Sequence, residues 1–269
     1  MKNKFRFIIV LFILCVACSS CSTVPLTGRR QLDIVPADVM LSTSFQQYGD
    51  FLKSNTISKD AAKVQSVKTV GRQVQTAVEK YMAENNMSDR LKNYQWEFNV
   101  VESQEINAWC MPGGKVVVYT GILPVAEDDK GLAVVLSHEI AHAIAQHGNE
   151  RMSQGVISSL GGQALSIALK DKPEETKKLW MTTFNVGAQY GVQLPYSRLQ
   201  ENEADHLGLI FMSMAGYDPH AAIAFWERMA KLKQGNLSLE FLSSHPSDQT
   251  RINNIKELMP EAMKYFVRK

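Results

Sequence analysis

From Pro36 onward apolar residues recur at helical spacing. Val39, Leu41 and Phe45 lead to Tyr48, Phe51 and Leu52, and after a polar break Val64, Val67, Val70, Val74 and Val78 continue the pattern. Side chains three or four positions apart share one face of an α-helix, so two amphipathic helices are expected, the second N-capped by Ser58. The period then changes to two. Trp96, Phe98 and Val100 alternate with Gln95, Glu97 and Asn99, and residues 116–119 form a β-branched run, which together predict strands. Pro112, Gly113 and Gly114 lie between them and signal a hairpin turn. From about Lys130 the helical period returns and runs to the C-terminus, with breaks at Gly148, 172–173, 191–195, 216–219 and 243–246. The Gly-, Ser- and Ala-rich stretch 153–168 reads as a closely packed core helix or a mobile lid, because Gly155, Gly161, Gly162 and Gln163 interrupt it too often for membrane insertion. No repeat period is present. The expected fold is a mostly helical α+β domain with one small sheet.

The N-terminus changes this picture. Lys2, Lys4 and Arg6 precede an unbroken apolar run over 7–18, the layout of a secretory signal, and twelve apolar residues are fewer than the roughly 20 that a membrane-spanning helix needs. Cys15, Cys18 and Cys21 crowd its end, with Ala17 before Cys18 and Ser20 before Cys21, which is similar to a bacterial lipoprotein cleavage site. Cys21 is the favoured acylated residue because the polar stretch after it suits a tether; Cys18 is the alternative. Neither has a leucine three places before it. The expected organisation is therefore a signal peptide at 1–20, a tether at 21–35 and one catalytic domain at 36–269, held at a membrane through the N-terminal lipid.

Residues 1–20 carry three basic and no acidic groups, so of 29 basic residues 26 remain against 27 acidic ones, a net charge of −1 from Cys21 onward. That leaves no basic footprint for nucleic acid. A span of 249 residues suffices for one large domain, and with Cys110 as its sole internal cysteine it has no disulfide framework.

Residues 137–148 read SHEIAHAIAQHG and contain H-E-x-x-H. Four residues is slightly more than one helical turn, so His138 and His142 project from one face and converge on one ion. Zinc takes neutral imidazole nitrogen, and a catalytic site typically has three protein ligands and an open position. Glu139 adjoins the first ligand and is placed to take a proton from water without coordinating the ion. A metzincin would need glycine at 145 and histidine at 148, where this chain has Ala145 and Gly148, and His147 reads as a surface residue. Downstream, residues 196–208 (YSRLQENEADHLG) place Glu201 and Asp205 on one helical face, with Glu203 roughly 200° around.

These segments resemble the HtpX and CAAX-prenyl-protease family of gluzincin zinc metallopeptidases, and their periplasmic lipoprotein members especially. The matching pieces are VPLTGRRQL (24–32), NAWCMPGGKVVVYTG (107–121), SHEIAHAIAQHGNER (137–151), LPYSRLQENEADHLGL (194–209), AGYDP (215–219) and SSHPSDQTRI (243–252), in the family's order. The resemblance implies a zincin-like domain with a hairpin before the zinc helix and one zinc ion per chain, with Glu201 as third ligand and Asp205 behind it. A carboxylate one turn from Glu201 is well placed to orient His138. Glu203 reads as a salt-bridge partner of Arg198 or Arg251. The resemblance also implies that His245 folds back toward the open metal position. There it would either replace the catalytic water and close the site, the favoured role in the resting protein, or swing aside and stabilise the developing oxyanion.

In zinc endopeptidases an extended substrate commonly lies against an edge strand, and Asn107, Ala108 and Trp109 are the candidates here. A sheet edge merely covered by a loop is the alternative. The expected activity is peptide-bond hydrolysis in misfolded or misassembled envelope proteins, on the periplasmic side of a bacterial membrane. A chaperone-like module with structural zinc is the other reading, and the presence of Glu139, for which a structural site has no use, favours chemistry.

Overall fold

The computed structural model describes residues 21–170, 172, 174–188, 194–234, 241, 245 and 249–267. The expected signal peptide at 1–20 lies outside them. In chain order the described elements are β1 (Cys21–Thr23), β2 (Arg30–Leu32), α1 (Ala37–Ser54), α2 (Ala61–Glu84), β3 (Glu97–Val101), β4 (Ala108–Met111), β5 (Lys115–Tyr119), the short α3 (Leu123–Ala126), α4 (Asp129–Ile144), α5 (His147–Ala168), α6 (Glu174–Ala188), α7 (Leu194–Met214), α8 (Ala221–Gln234) and α9 (Gln249–Ala262). The protein is mostly helical α+β with two small sheets, and it divides into two compact units, 1–40 with 146–198 and 41–145 with 199–269.

In the first unit, residues expected to be a tether instead form an antiparallel hairpin, with Cys21 opposite Leu32 and Thr23 opposite Arg30. The hairpin is fastened to the start of α5. Arg29 donates to both carboxylate oxygens of Glu150 at 2.7 and 2.8 Å, Asn149 Nδ2 donates to Val35 O, and Ile34 N donates to Ser153 Oγ. A polar composition thus concealed a specific set of partners. The stretch 153–168 is helical, but it is not a core helix: Val156, Ile157, Leu160 and Ile167 are exposed. His147, read as a surface residue, is 0% exposed. The expected break at Gly148 falls two residues earlier, where Gln146 adopts a left-handed conformation (φ 58°) and Gly148 belongs to the first turn of α5.

The second unit is built round the three-stranded sheet β3-β5-β4. The expected turn is present, with Gly113 and Gly114 at left-handed φ angles of 88° and 80°, but it joins β4 to β5 and not the strand at 95–100 to the run at 116–119. The pairing of β3 was not evident from the sequence, because it runs parallel to β5 and so makes β5 the centre of the sheet. Covered on both sides, β5 is buried at all five positions, which is why it reads as a continuous apolar run. Helix α2 is capped by Asp60, whose Oδ1 accepts from Ala62 N and Lys63 N, and not by Ser58 two residues before. Helix α2 packs on β3 and α4, and β4 packs on α4. Helix α4, capped by Asp128, is buried at every position from Gly131 to Ile144. No helix among the described residues is long and apolar enough to cross a membrane.

Candidate metal centre

Helix α4 buries its own polar residues together with its apolar ones, so Ser137, His138, Glu139 and His142 are withdrawn from solvent at one level of the core. Helix α7 lies against them. A Cβ placed on Gly208 would stand 3.2 Å from His138 N and Cα, so a side chain there would press the two closely approaching backbones apart by a few tenths of an ångström. That approach brings Glu201 between the histidines: its Oε2 is 3.3 Å from His138 Nε2, its Oε1 is 3.3 Å from His142 Nε2, and the two imidazole nitrogens are 3.1 Å apart. His245 completes the cluster. Its Nδ1 is 3.1 Å from His138 Nε2 and 2.9 Å from Glu201 Oε2, and one ligand atom from each of the four residues lies within 4.8 Å of all the others.

These spacings fit zinc. Four ligands at about 2.0–2.1 Å from a tetrahedral ion stand about 3.3 Å from one another, close to the 2.9–3.3 Å separations found here. Two buried imidazole nitrogens facing each other beside a carboxylate make sense as convergent lone pairs.

The surroundings hold the ligands in place. Asp205 Oδ1 lies 3.0 Å from His138 Nδ1, which leaves Nε2 free to face the cluster. Arg251 donates to Asp205 through Nε and Nη2 and approaches Glu201 Oε2 through Nη1 at 3.1 Å, with its guanidinium 3.5 Å above the Trp226 ring. Trp226 stacks in turn on Phe241, and Phe241 lies against His245. Burial alone would lower the His138 pKa, but Asp205 and Glu201 outweigh it and carry the group up to about 9. Burial would likewise raise Glu201, yet hydrogen bonds with His138, His142 and His245 hold it far below the usual carboxylate range. In Asp205 burial is opposed by the Arg251 charge, and the net shift is downward. Glu139 goes the other way: burial pushes its carboxyl up, and the nearby histidines only moderate the shift. Its Oε1 accepts no hydrogen bond among the described residues, and His245 Nε2 stands 3.4 Å away without hydrogen-bond alignment.

The six residues expected at the metal or beside it, His138, Glu139, His142, Glu201, Asp205 and His245, are brought together. Arg251, expected together with Arg198 as a candidate partner of Glu203, binds Asp205 and Glu201. Its role was overlooked, as were those of Trp226 and Phe241. Arg251 stands six residues after His245 in a segment already singled out, and that was its only signal. Of the expected substrate strand, Asn107 precedes β4 and Ala108 begins it, at the edge of the sheet. Trp109 packs edge-on against Phe51 and Tyr48 at centroid distances of 4.9 and 6.0 Å, so its ring belongs to the core. Cys21 lies in β1 with its side chain outside the description.

The model of peptidase family M48 matches residues 69–259, which include both histidines, Glu139, Glu201, Asp205 and His245. The chain belongs to peptidase family M48. The His138, His142 and Glu201 cluster within the matched residues is suited to hold a metal ion. It is 35% identical over 242 residues to the mitochondrial metalloendopeptidase OMA1 of Schizosaccharomyces pombe, an alignment covering 89% of this chain and 66% of that protein. It is 34% identical over 200 residues to the OMA1 enzyme of Saccharomyces cerevisiae, covering 72% of this chain and 54% of that protein. The beta-barrel assembly-enhancing protease of Escherichia coli is more distant, at 26% over 161 residues, 58% of this chain and 33% of that one. The chain thus spans two thirds or less of the length of these relatives. The family is shown at the level of M48, and its narrower HtpX and CAAX-prenyl-protease branch is not. The expected location in a bacterial envelope is corrected: the relatives named as mitochondrial enzymes are more similar to this chain than the bacterial one.

Proposed function

We propose that this member of peptidase family M48 is a zinc metalloendopeptidase that cleaves internal peptide bonds of unfolded or misassembled polypeptides, bound in extended form along the edge strand β4, with Glu139 as general base. Glu139 carries the reading. It is buried beside the three candidate ligands, and its Oε1 accepts no hydrogen bond among the described residues, which leaves it placed to take a proton and return it. Zinc, when bound, supplies Lewis acidity toward the scissile carbonyl and lowers the pKa of water toward 7. Glu139 takes the proton of the attacking water and delivers it to the departing amine. Asp205 and Arg251 hold His138 in the tautomer that directs Nε2 at the ion.

Strand β4 supports the substrate class. It lies at the edge of its sheet and packs on the helix that carries the histidines, so main-chain hydrogen bonds along it would register a polypeptide without reading its side chains. His245 Nδ1 stands beside His138 and Glu201 as a fourth ligand would, which supports a closed resting site that opens when His245 moves aside.

The test incubates the zinc-loaded full chain with a reduced, alkylated protein that cannot refold and with the native form of the same protein. Internal cleavage of the unfolded form, abolished by a chelator and restored by zinc, is expected. Removal of terminal residues alone, or equal cleavage of both forms, would refute the reading.

A further inference from the structure

Helix α5 carries no charged residue from Met152 to Leu169. At about 100° per residue, Met152, Val156, Ile157, Leu160, Ala164 and Ile167 fall within an arc of about 140°, interrupted by Ser153 and by Gln163. A stripe of that width ordinarily faces a core. Here it faces outward, with Leu160 59% and Ile167 75% exposed. On α6, Leu179 and Trp180 are exposed as well, Trp180 at 53%.

We propose that this stripe, extended by Leu179 and Trp180, docks on the surface of a lipid bilayer, with α5 lying in the interface. Three observations favour lipid over another occupant. First, charge is concentrated between the two uncharged segments: Lys170, Asp171, Lys172, Glu174, Glu175, Lys177 and Lys178 occupy 170–178, and Trp180 follows. Lysines with long apolar stems beside a tryptophan are the residues that sit at the boundary between headgroups and acyl chains. Second, α5 is too polar on its other face to span a membrane, where Ser158, Ser159, Gly155 and Ser166 lie, and a helix with one apolar face and low net hydrophobicity lies in the interface instead. Third, the N-terminal apolar run 7–18 ends three residues before β1 in the sequence. The hairpin that follows that run is fixed to the start of α5 by Arg29 with Glu150, Asn149 with Val35 and Ser153 with Ile34, so the chain enters this unit directly after an apolar segment.

The test mixes the full chain with vesicles of brominated phosphatidylcholine and phosphatidylglycerol. Bromine in the acyl chains should quench tryptophan emission in the wild type, and this quenching should disappear in Trp180→Phe. In Ile157→Glu/Leu160→Glu, partitioning to the vesicles should fall about tenfold or more, since two apolar side chains lose their burial, while helix content and zinc occupancy are unchanged. Quenching equal in wild type and Trp180→Phe, with partitioning unaffected by the glutamates, would overturn the proposal and leave binding to the N-terminal run. A dimer in sedimentation that the glutamates dissociate, with no lipid quenching, would overturn it in favour of contact between two copies of this chain. Cross-linking of the stripe to an unfolded polypeptide, again without quenching, would overturn it in favour of client binding.

Discussion

Arg251 grips Asp205 by both carboxylate oxygens, Nε to Oδ2 at 2.8 Å and Nη2 to Oδ1 at 2.7 Å, while its third nitrogen reaches Glu201 and its plane lies on Trp226. One side chain thus fixes a metal ligand and the carboxylate that orients another. Arg251→Lys should lower zinc affinity by about 10–100-fold, as loss of an outer partner typically does. Lysine keeps the charge but lacks the planar fork and the ring contact. Competition with a chromogenic chelator measures this; affinity equal to wild type would reduce the clamp to a packing contact.

Glu139→Gln should keep zinc and fold while losing about 10²–10⁴-fold in turnover, since it removes the base and leaves the ligands. Metal analysis and cleavage of an unfolded polypeptide, made on the same sample, decide it. Near-normal cleavage would remove Glu139 from the mechanism.

Glu201→Gln should release zinc far more readily than Glu203→Gln. Both residues are buried, so burial does not distinguish them, but only Glu201 turns its carboxylate to His138 and His142. Dialysis followed by metal analysis makes the comparison, and retention of zinc by the Glu201 variant would displace it as a ligand.

His245→Ala should raise basal proteolysis with zinc retained, because Nδ1 stands beside His138 and Glu201 as a fourth ligand would, and its removal leaves that position open. Lower activity would assign His245 to oxyanion stabilisation instead; an unchanged rate and metal spectrum would exclude it from the site.

Gly208→Ala should cost about 1–3 kcal/mol of stability, as an added methyl in a packed contact does, and should widen the gap between α4 and α7. Thermal unfolding reads the first effect. Reduced zinc occupancy reads the second, since the gap separates His138 from Glu201.

How much of this was legible in the sequence depended on how far each feature reaches along the chain. His138, Glu139 and His142 are set by one turn of one helix, and Glu201 and Asp205 by one turn of another, so spacing alone placed each pair on a common face. The turn between β4 and β5 was equally local, through Gly113 and Gly114. The parallel pairing of β3 with β5 leaves no mark in either strand's alternation. Ser58 and Asp60 are both competent caps two residues apart, and only the backbone decides between them. The pairing of Arg251 with Asp205 and Glu201 joins residues about fifty positions apart, and neither segment's spacing records it. His147 looked exposed because a histidine after an apolar run has no sequence mark of burial.

One consequence follows from α4, which is buried along its whole length from Gly131 to Ile144. Its backbone amides have no local route to water and should exchange with deuterium only when the whole unit opens. The histidines are therefore carried by a segment that should exchange slowly. Stripping the ion should leave that slow exchange in place, so that zinc returning to the protein meets a cluster already assembled and has no folding to drive.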